Sequence, residues 1–187
     1  MNATFTILEF LFRIAALLFL VRVLLQATSA NFYNPISQAI VKATDFVAKP
    51  LRTLLRPYRN FDIASAVIAW LINVAFFALV IYGINQLSVG VGTLLLIGLV
   101  QTVLVLIGFY LWTIVIIVVA SFLAQGVQHP ALSLLNQLVE PLIRPVRRIL
   151  PTVGPLDFSP MAAMLGLWFL QMNVQSFLQT LLSTVRQ

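Results

Sequence analysis

The chain carries one pattern twice, 95 residues apart. Asn34-Pro35 opens the first copy and His129-Pro130 the second. Asp45 is answered by Glu140, Lys49-Pro50 by Arg144-Pro145, Arg52 by Arg147, and Asp62 by Asp157. No gap is needed between the opening dipeptide and the closing aspartate. Each copy lies between long apolar runs, so the sequence describes a duplicated module rather than one fold around one active site. A repeat of this kind fixes architecture before any single residue does.

The setting of the repeat is a membrane. The chain is 61% hydrophobic and 9% charged, with a mean hydropathy of +1.03. That leaves too little polar surface to cover a soluble domain. With no cysteine in the sequence, disulfides, thiolate metal sites and cysteine nucleophiles are excluded. The net charge of +6 is concentrated in two segments beside apolar spans. Such clustering points to topology and anionic lipid rather than to nucleic acid. The N-terminus lacks a basic leader and carries Glu9 and Arg13 inside its apolar run, the mark of a retained helix rather than a cleaved signal.

Four apolar runs, about 5–29, 63–84, 93–124 and 160–182, each reach the roughly 20 residues that a helix needs to cross a bilayer. Backbone groups in lipid must be satisfied internally, so all four are expected to be helices. Between Ile63 and Val139 there is no Lys, Arg, Asp or Glu, and the stretch 85–92 is the turn that must divide spans two and three. The expected fold is therefore an all-α membrane protein of four transmembrane helices in two tandem repeats, 1–92 and 93–187. Basic residues mark both inter-span segments, 34–60 and 129–152, as cytoplasmic, with both termini on the opposite side of the membrane. The two halves would then share one orientation, a parallel repeat.

Both basic segments have helical periodicity. Ile36, Ile40, Val47, Leu51 and Leu54 form an apolar stripe, and Lys42, Asp45, Lys49, Arg52, Arg56 and Arg59 fall within an arc of about 100° on another side. Leu134, Leu138, Leu142, Val146 and Ile149 repeat the stripe against Glu140, Arg144 and Arg147. Pro50 and Pro145 remove backbone donors, so each segment is expected to be two short amphipathic helices interrupted at its proline. Lys49, Arg52, Arg56, Arg144, Arg147 and Arg148 are the candidate contacts to anionic headgroups or to a protein partner. Asp45 with Lys49 and Glu140 with Arg144 have the acid-first spacing of a helical ion pair. Pro35 and Pro130 follow their turn or cap residues. Asp62 and Asp157 precede the next spans, where helix capping is the default role and a proton or cation site the alternative. Ser159 places a capping hydroxyl just before Pro160, and in the first copy Asp62 is the cap.

Glu9, Arg13 and Arg22 fall inside the first run, where ionisable groups should face one another, protein or water. Glu9 and Arg13 are spaced for a self-contained pair. Arg22, near the cytoplasmic end, is placed to snorkel to the headgroups. The sharper alternative makes these three an ion path with Asn73 and Gln101. Catalysis has little to stand on: no phosphate-cradling loop, no metal-spaced cluster and a single His, whose counterpart is Asn34, a pairing that suits a cap. No catalytic residue, metal or cofactor is expected.

Asn-Phe-Tyr-Asn-Pro-Ile-Ser-Gln at 31–38, Glu-Pro-Leu-Ile-Arg-Pro-Val-Arg-Arg-Ile-Leu-Pro at 140–151 and Gly-Pro-Leu-Asp-Phe-Ser-Pro at 154–160 resemble the YggT family. The resemblance covers nearly the whole chain as two tandem units, the second closer to the pattern than the first. It implies a small inner-membrane protein without established enzymatic activity. Bacterial relatives are linked to osmotic-stress tolerance and potassium homeostasis, some being encoded near division genes. Chloroplast relatives are linked to cytochrome b6f haem assembly and nucleoid distribution. The expected function is a non-enzymatic scaffold, assembly or recruitment factor whose partners are anionic lipids and another membrane or cytoplasmic protein. The alternative is a component of potassium or proton transport. Ala162 and Gly166 have a spacing that permits close helix contact in a homo-oligomer.

Overall fold

The computed structural model describes residues 3–84, 89–123, 129–150 and 157–185. All regular structure among them is helical. Helix α1 is Ala3–Ala27, α2 Pro35–Leu54 and α3 Ile63–Ala78, which continues through a π-helical turn at Leu79–Ile84. Helix α4 is Val91–Leu123, α5 Pro130–Ile149 and α6 Ser159–Val185. Of the expected turn at 85–92, residues 85–88 lie outside the described set, as do 151–156 of the second copy's motif and Arg186.

Three of these helices are long and apolar enough to cross a membrane: Ile63–Ile84, Val91–Ser121 and Ser159–Val185. The 31 residues of the second rise about 46 Å, well beyond a hydrocarbon core of about 30 Å. Helix α1, the expected first span, is not among the three, and it is the one apolar helix that carries Glu9, Arg13 and Arg22.

Packing follows the repeat. Helix α1 lies along α3 with α2 against both, and α4 lies along α6 with α5 against both. Helices α3 and α4 join the halves through apolar contacts, through the Trp70 indole N–H donating to the Leu95 carbonyl at 3.0 Å, and through Asn73 donating to Thr102 at 3.0 Å. Gly98 lets α3 approach closely, since a Cβ there would sit 3.0 Å from both Val74 Cα and Val74 N and nearer still to its side chain. The amphipathic helices meet at their N-terminal ends. Asn34 donates to the Pro130 carbonyl at 2.7 Å, and Gln137 accepts from the Asn31 backbone at 2.8 Å.

The amphipathic segments differ from expectation in two ways. Neither is broken at its proline: α2 runs through Pro50, and α5 through Pro141 and Pro145, as continuous helices. All three prolines are exposed, and the carbonyls that they leave free, at Phe46, Gln137 and Pro141, sit on exposed or half-exposed residues where solvent or headgroups can take the lost bond. The second difference is which face of α2 packs. Ser37, Thr44 and Ala48 are the buried residues, while Val47 and Leu54 of the apolar stripe stay exposed together with Phe46. Small side chains allow the close approach of backbones that membrane helices favour. Helix α5 follows its stripe only in part: Leu134 and Leu138 are buried, but so are Val139 and Ile143 outside the stripe, while Leu142 and Val146 are half-buried and Ile149 is exposed.

Gly98→Ala should force α3 and α4 apart and lower stability by about 1–3 kcal/mol, the usual range for overpacking. Thermal unfolding of detergent-purified protein reads this directly. Gly92→Ala, whose added Cβ meets nothing within 4 Å, should leave the transition where it is or raise it.

Candidate functional site

The Arg22 guanidinium is a buried charge, only 2% exposed. It does not reach toward headgroups. It turns into the junction of α1, α2 and α3 and meets a partner on almost every side. One amino group donates to the Val41 carbonyl at 3.1 Å and to Thr44 Oγ1 at 2.7 Å, and the other to Asp45 Oδ1 at 2.7 Å. Its Nε lies 3.4 Å from Asp62 Oδ2.

Asp62 completes the network. It is fully buried at the N-terminus of α3, where it caps the helix by accepting from the Ser65 backbone at 3.3 Å and from the Ser65 hydroxyl at 2.6 Å. Arg52 forks onto the same carboxylate through Nε at 3.3 Å and through a close Nη2 contact, and reaches Gln26 Oε1 at 3.4 Å. Two cations and two anions thus balance across three helices. Burial alone pushes the Asp62 carboxyl up. Hydrogen bonds from Arg52 and Ser65, with the Arg52 charge, outweigh it and hold the group below the ordinary value of 3.8. Asp45, bonded by Arg22 and flanked by Lys49 at 3.6 Å, is held below the same value.

The second copy has a lighter version of this arrangement. Arg147 bridges Asp157 through Nε at 3.0 Å and Glu140 through Nη1 at 3.2 Å, all three groups being substantially exposed. Asp157 accepts from the Ser159 backbone at 2.9 Å at the start of α6. Ser159 and Arg147 together hold its carboxyl below the ordinary range. The expected Glu140–Arg144 pair is not formed; Arg147, two turns on, takes its place. Where the first copy has Arg22 and Thr44, the second has Ile117 and Val139. Val139 is fully buried, and Ile117 packs on the same apolar cluster.

Other sequence expectations separate on this geometry. Asn34 and His129 are N-caps, accepting from Ile36 and Ala131 at 2.9 and 3.2 Å, with Pro35 and Pro130 at the first helical positions. Glu9 and Arg13 make no ion pair with each other. Glu9 is half-buried, and Arg13 is exposed near Gly108. No hydrogen bond or ion pair among the described residues joins any two of Glu9, Arg13, Arg22, Asn73 and Gln101. Of the six candidate surface cations, Arg52 and Arg147 are committed to Asp62 and Asp157, and Lys49 forms its expected pair with Asp45 at 3.6 Å. Lys49, Arg56, Arg144 and Arg148 are exposed. Sequence reasoning missed Thr44 and Ser65 as partners. Ser65 stands one helical turn after Asp62, a capping spacing, whereas Thr44 lies 22 residues from Arg22 and gave no local signal.

The CCB3/YggT family model matches residues 1–83 and again residues 96–178. The chain belongs to this family. The Escherichia coli K12 protein named YggT is 32% identical over 179 residues, 96% of this chain and 93% of its own length. An uncharacterized protein in the proC 3′ region of Vibrio alginolyticus is 35% identical over 170 residues, 90% and 91% of the two chains. An uncharacterized Haemophilus influenzae protein is 37% identical over 156 residues, 83% and 82%. No solved structure matches the chain.

Replacing Arg22 by Ile should destabilise the protein by about 3–5 kcal/mol, the cost of leaving a buried charge without its partner. Adding Asp45→Asn should recover part of the loss, because Asp62 keeps Arg52. The lowered carboxyl groups also set a pH signature. Since the folded value lies below the unfolded one, their stabilisation is complete above 3.8 and is lost as pH falls further through the folded values. Melting temperature followed from pH 7 to pH 3 should drop at the acid end, and Asp62→Asn should flatten that drop. An unchanged profile in Asp62→Asn would show that the cluster does not carry the acid sensitivity.

Proposed function

We propose that this protein is a non-enzymatic inner-membrane scaffold that gathers anionic lipid, and through it a protein partner, at the cytoplasmic face. In this reading α1 joins α3, α4 and α6 in crossing the bilayer, its charged Arg22 end satisfied within the protein. The two repeats lie parallel, and α2 and α5 rest in the headgroup region with both termini periplasmic. A part in osmotic-stress tolerance fits a protein that senses or organises the membrane surface.

One observation carries the proposal. The ionic clusters use up Arg52, Arg147 and the acidic groups of both segments, and leave Lys49, Arg56, Arg144 and Arg148 exposed on the same helices as Phe46, Leu54 and Ile149. Exposed cations beside exposed large apolar residues are what a helix lying in the interface plane presents. The contact between the N-terminal ends of α2 and α5 supports placing both surfaces on one side.

The absence of native cysteine makes the topology easy to test. Lys49→Cys and Arg148→Cys should both react with an impermeant maleimide in inverted inner-membrane vesicles and neither in spheroplasts. Labelling from opposite sides would end the parallel-repeat reading. The recruitment reading has its own measurement. Replacing Lys49, Arg56, Arg144 and Arg148 with Gln should reduce the enrichment of anionic lipid in the shell that copurifies with the protein by severalfold, given about 1 kcal/mol per basic residue near such a surface. Enrichment that survives all four substitutions would exclude these helices as the source.

A further inference from the structure

A cavity of about 370 Å³ opens beside the buried cluster, between the C-terminal end of α1, the first turns of α2 and the turn that precedes α3. That is within the roughly 300–1,000 Å³ of small-ligand sites. One side is apolar, formed by Leu25, Phe32 and Val41. The other is a set of donors. Arg52, Gln26 and Ser37 line the cavity, and Arg52 Nη1, Gln26 Nε2 and Ser37 Oγ donate no hydrogen bond to another described residue.

Ser37 decides how this cavity is understood. It is 2% exposed, and its hydroxyl has no hydrogen-bond partner. A buried polar group without a partner costs stability, and native proteins rarely keep one without a use. Helical serines ordinarily bond back to the preceding turn. This one bonds to nothing, and its residue lines the cavity beside Arg52 and Gln26. The rim is also built at some conformational expense. Ser29 is held at φ 51°, in the left-handed region, where Asn60 donates to its hydroxyl at 3.2 Å. Non-glycine residues in that region persist when their surroundings hold them there.

Asp62 is fully buried, and neither Asp62 nor Asp45 lines the cavity. A ligand entering it therefore meets donors and no acidic side chain. We infer that this cavity binds a phosphate group, held by Arg52, Gln26 and Ser37, and that the apolar wall accommodates the glycerol and first methylenes of an anionic phospholipid. The inference deepens the lipid-recruitment reading by assigning one specific headgroup site, distinct from the four surface cations.

The test uses full-length protein in detergent, with native mass spectrometry reading bound phosphatidylglycerol per chain, and a parallel titration with inorganic phosphate. Wild type should retain one phosphatidylglycerol. Ser37→Ala combined with Gln26→Leu should weaken it at least about tenfold, the worth of one to two hydrogen bonds. Ser37→Ala alone should weaken binding while leaving the melting temperature unchanged or higher, because the hydroxyl it removes has no partner in the protein. That keeps the result interpretable if the double variant folds poorly. Inorganic phosphate binding with the same dependence on Ser37 and Gln26 would assign the site to free phosphate, which supports the phosphate chemistry and moves its source. Binding of neither probe, or binding indifferent to both substitutions, overturns the inference. The variant lacking Lys49, Arg56, Arg144 and Arg148 should keep the single site within about twofold. Loss there with an intact response to Ser37→Ala would fault the independence of the two surfaces rather than the cavity.

Discussion

A buried guanidinium sets the terms for the first half of this protein. Removing Arg22 from water is expensive, and the bonds made by its two amino groups, with Asp62 3.4 Å from Nε, make the position tolerable. Those partners come from two other helices: a carbonyl, a hydroxyl and a carboxylate on α2, and the capping carboxylate of α3. No one of these contacts is strong evidence of stability by itself. Jointly they fix the height of α2 along α1 and the point at which α3 begins, because sliding any helix by one turn would strand a charge. Specificity of register, rather than net stabilisation, is what such a cluster contributes.

The second copy shows that the fold does not need the charge. At the position of Arg22 stands Ile117, and at that of Thr44 stands Val139, and the same three-helix junction closes on apolar contacts. Arg147 still ties Asp157 to the amphipathic helix, so what both copies keep is an arginine on that helix holding the aspartate ahead of the next one. What differs is the extra buried cation and everything that follows from it. Asp62 is sealed, whereas Asp157 is about one-third exposed. The apolar junction of α4, α5 and α6 is the arrangement expected wherever an ion cluster can be replaced by well-packed side chains at little cost. The first half has retained the costlier solution.

Much of this was legible in the chain. The 95-residue echo, the capping roles of Asn34, His129, Asp62 and Asp157, and the apolar runs all rest on local rules, and local rules can be seen in one dimension. The errors lay where a residue could choose between a near neighbour and a distant one. Glu9 and Arg13 have ideal spacing but do not pair, and Glu140 passes over Arg144 for Arg147, because an exposed ion pair at one-turn spacing is worth only a few tenths of a kcal/mol and gives way to better geometry. Arg22 looked free to snorkel because its partners lie about 20 residues or more ahead, beyond any helical period. The packing face of α2 was hidden for another reason. Ser37, Thr44 and Ala48 score as weak on any scale of hydrophobicity, and it is their small size, not their polarity, that brings the helix in.

The way α2 is held bears on what its surface can do. A basic linker floating between two spans would lose conformational freedom on meeting a ligand, at a cost for every side chain it orders. Helix α2 has already met that cost in folding. It is pinned by Arg22 near its middle, by the Arg52–Asp62 contact near its C-terminal end, and at its N-terminal end by Asn34 reaching α5. Three anchors along 20 residues leave little room for the helix to reorient. Its outward side chains and the donors lining the adjoining cavity are therefore presented in fixed positions. Recognition of one headgroup among many requires such fixed positions, whereas a mobile basic tether would attract anionic lipid of any kind. On the proposed headgroup site the asymmetry between the copies acquires a physical sense: the half that keeps the buried arginine is the half whose amphipathic helix is held at three points.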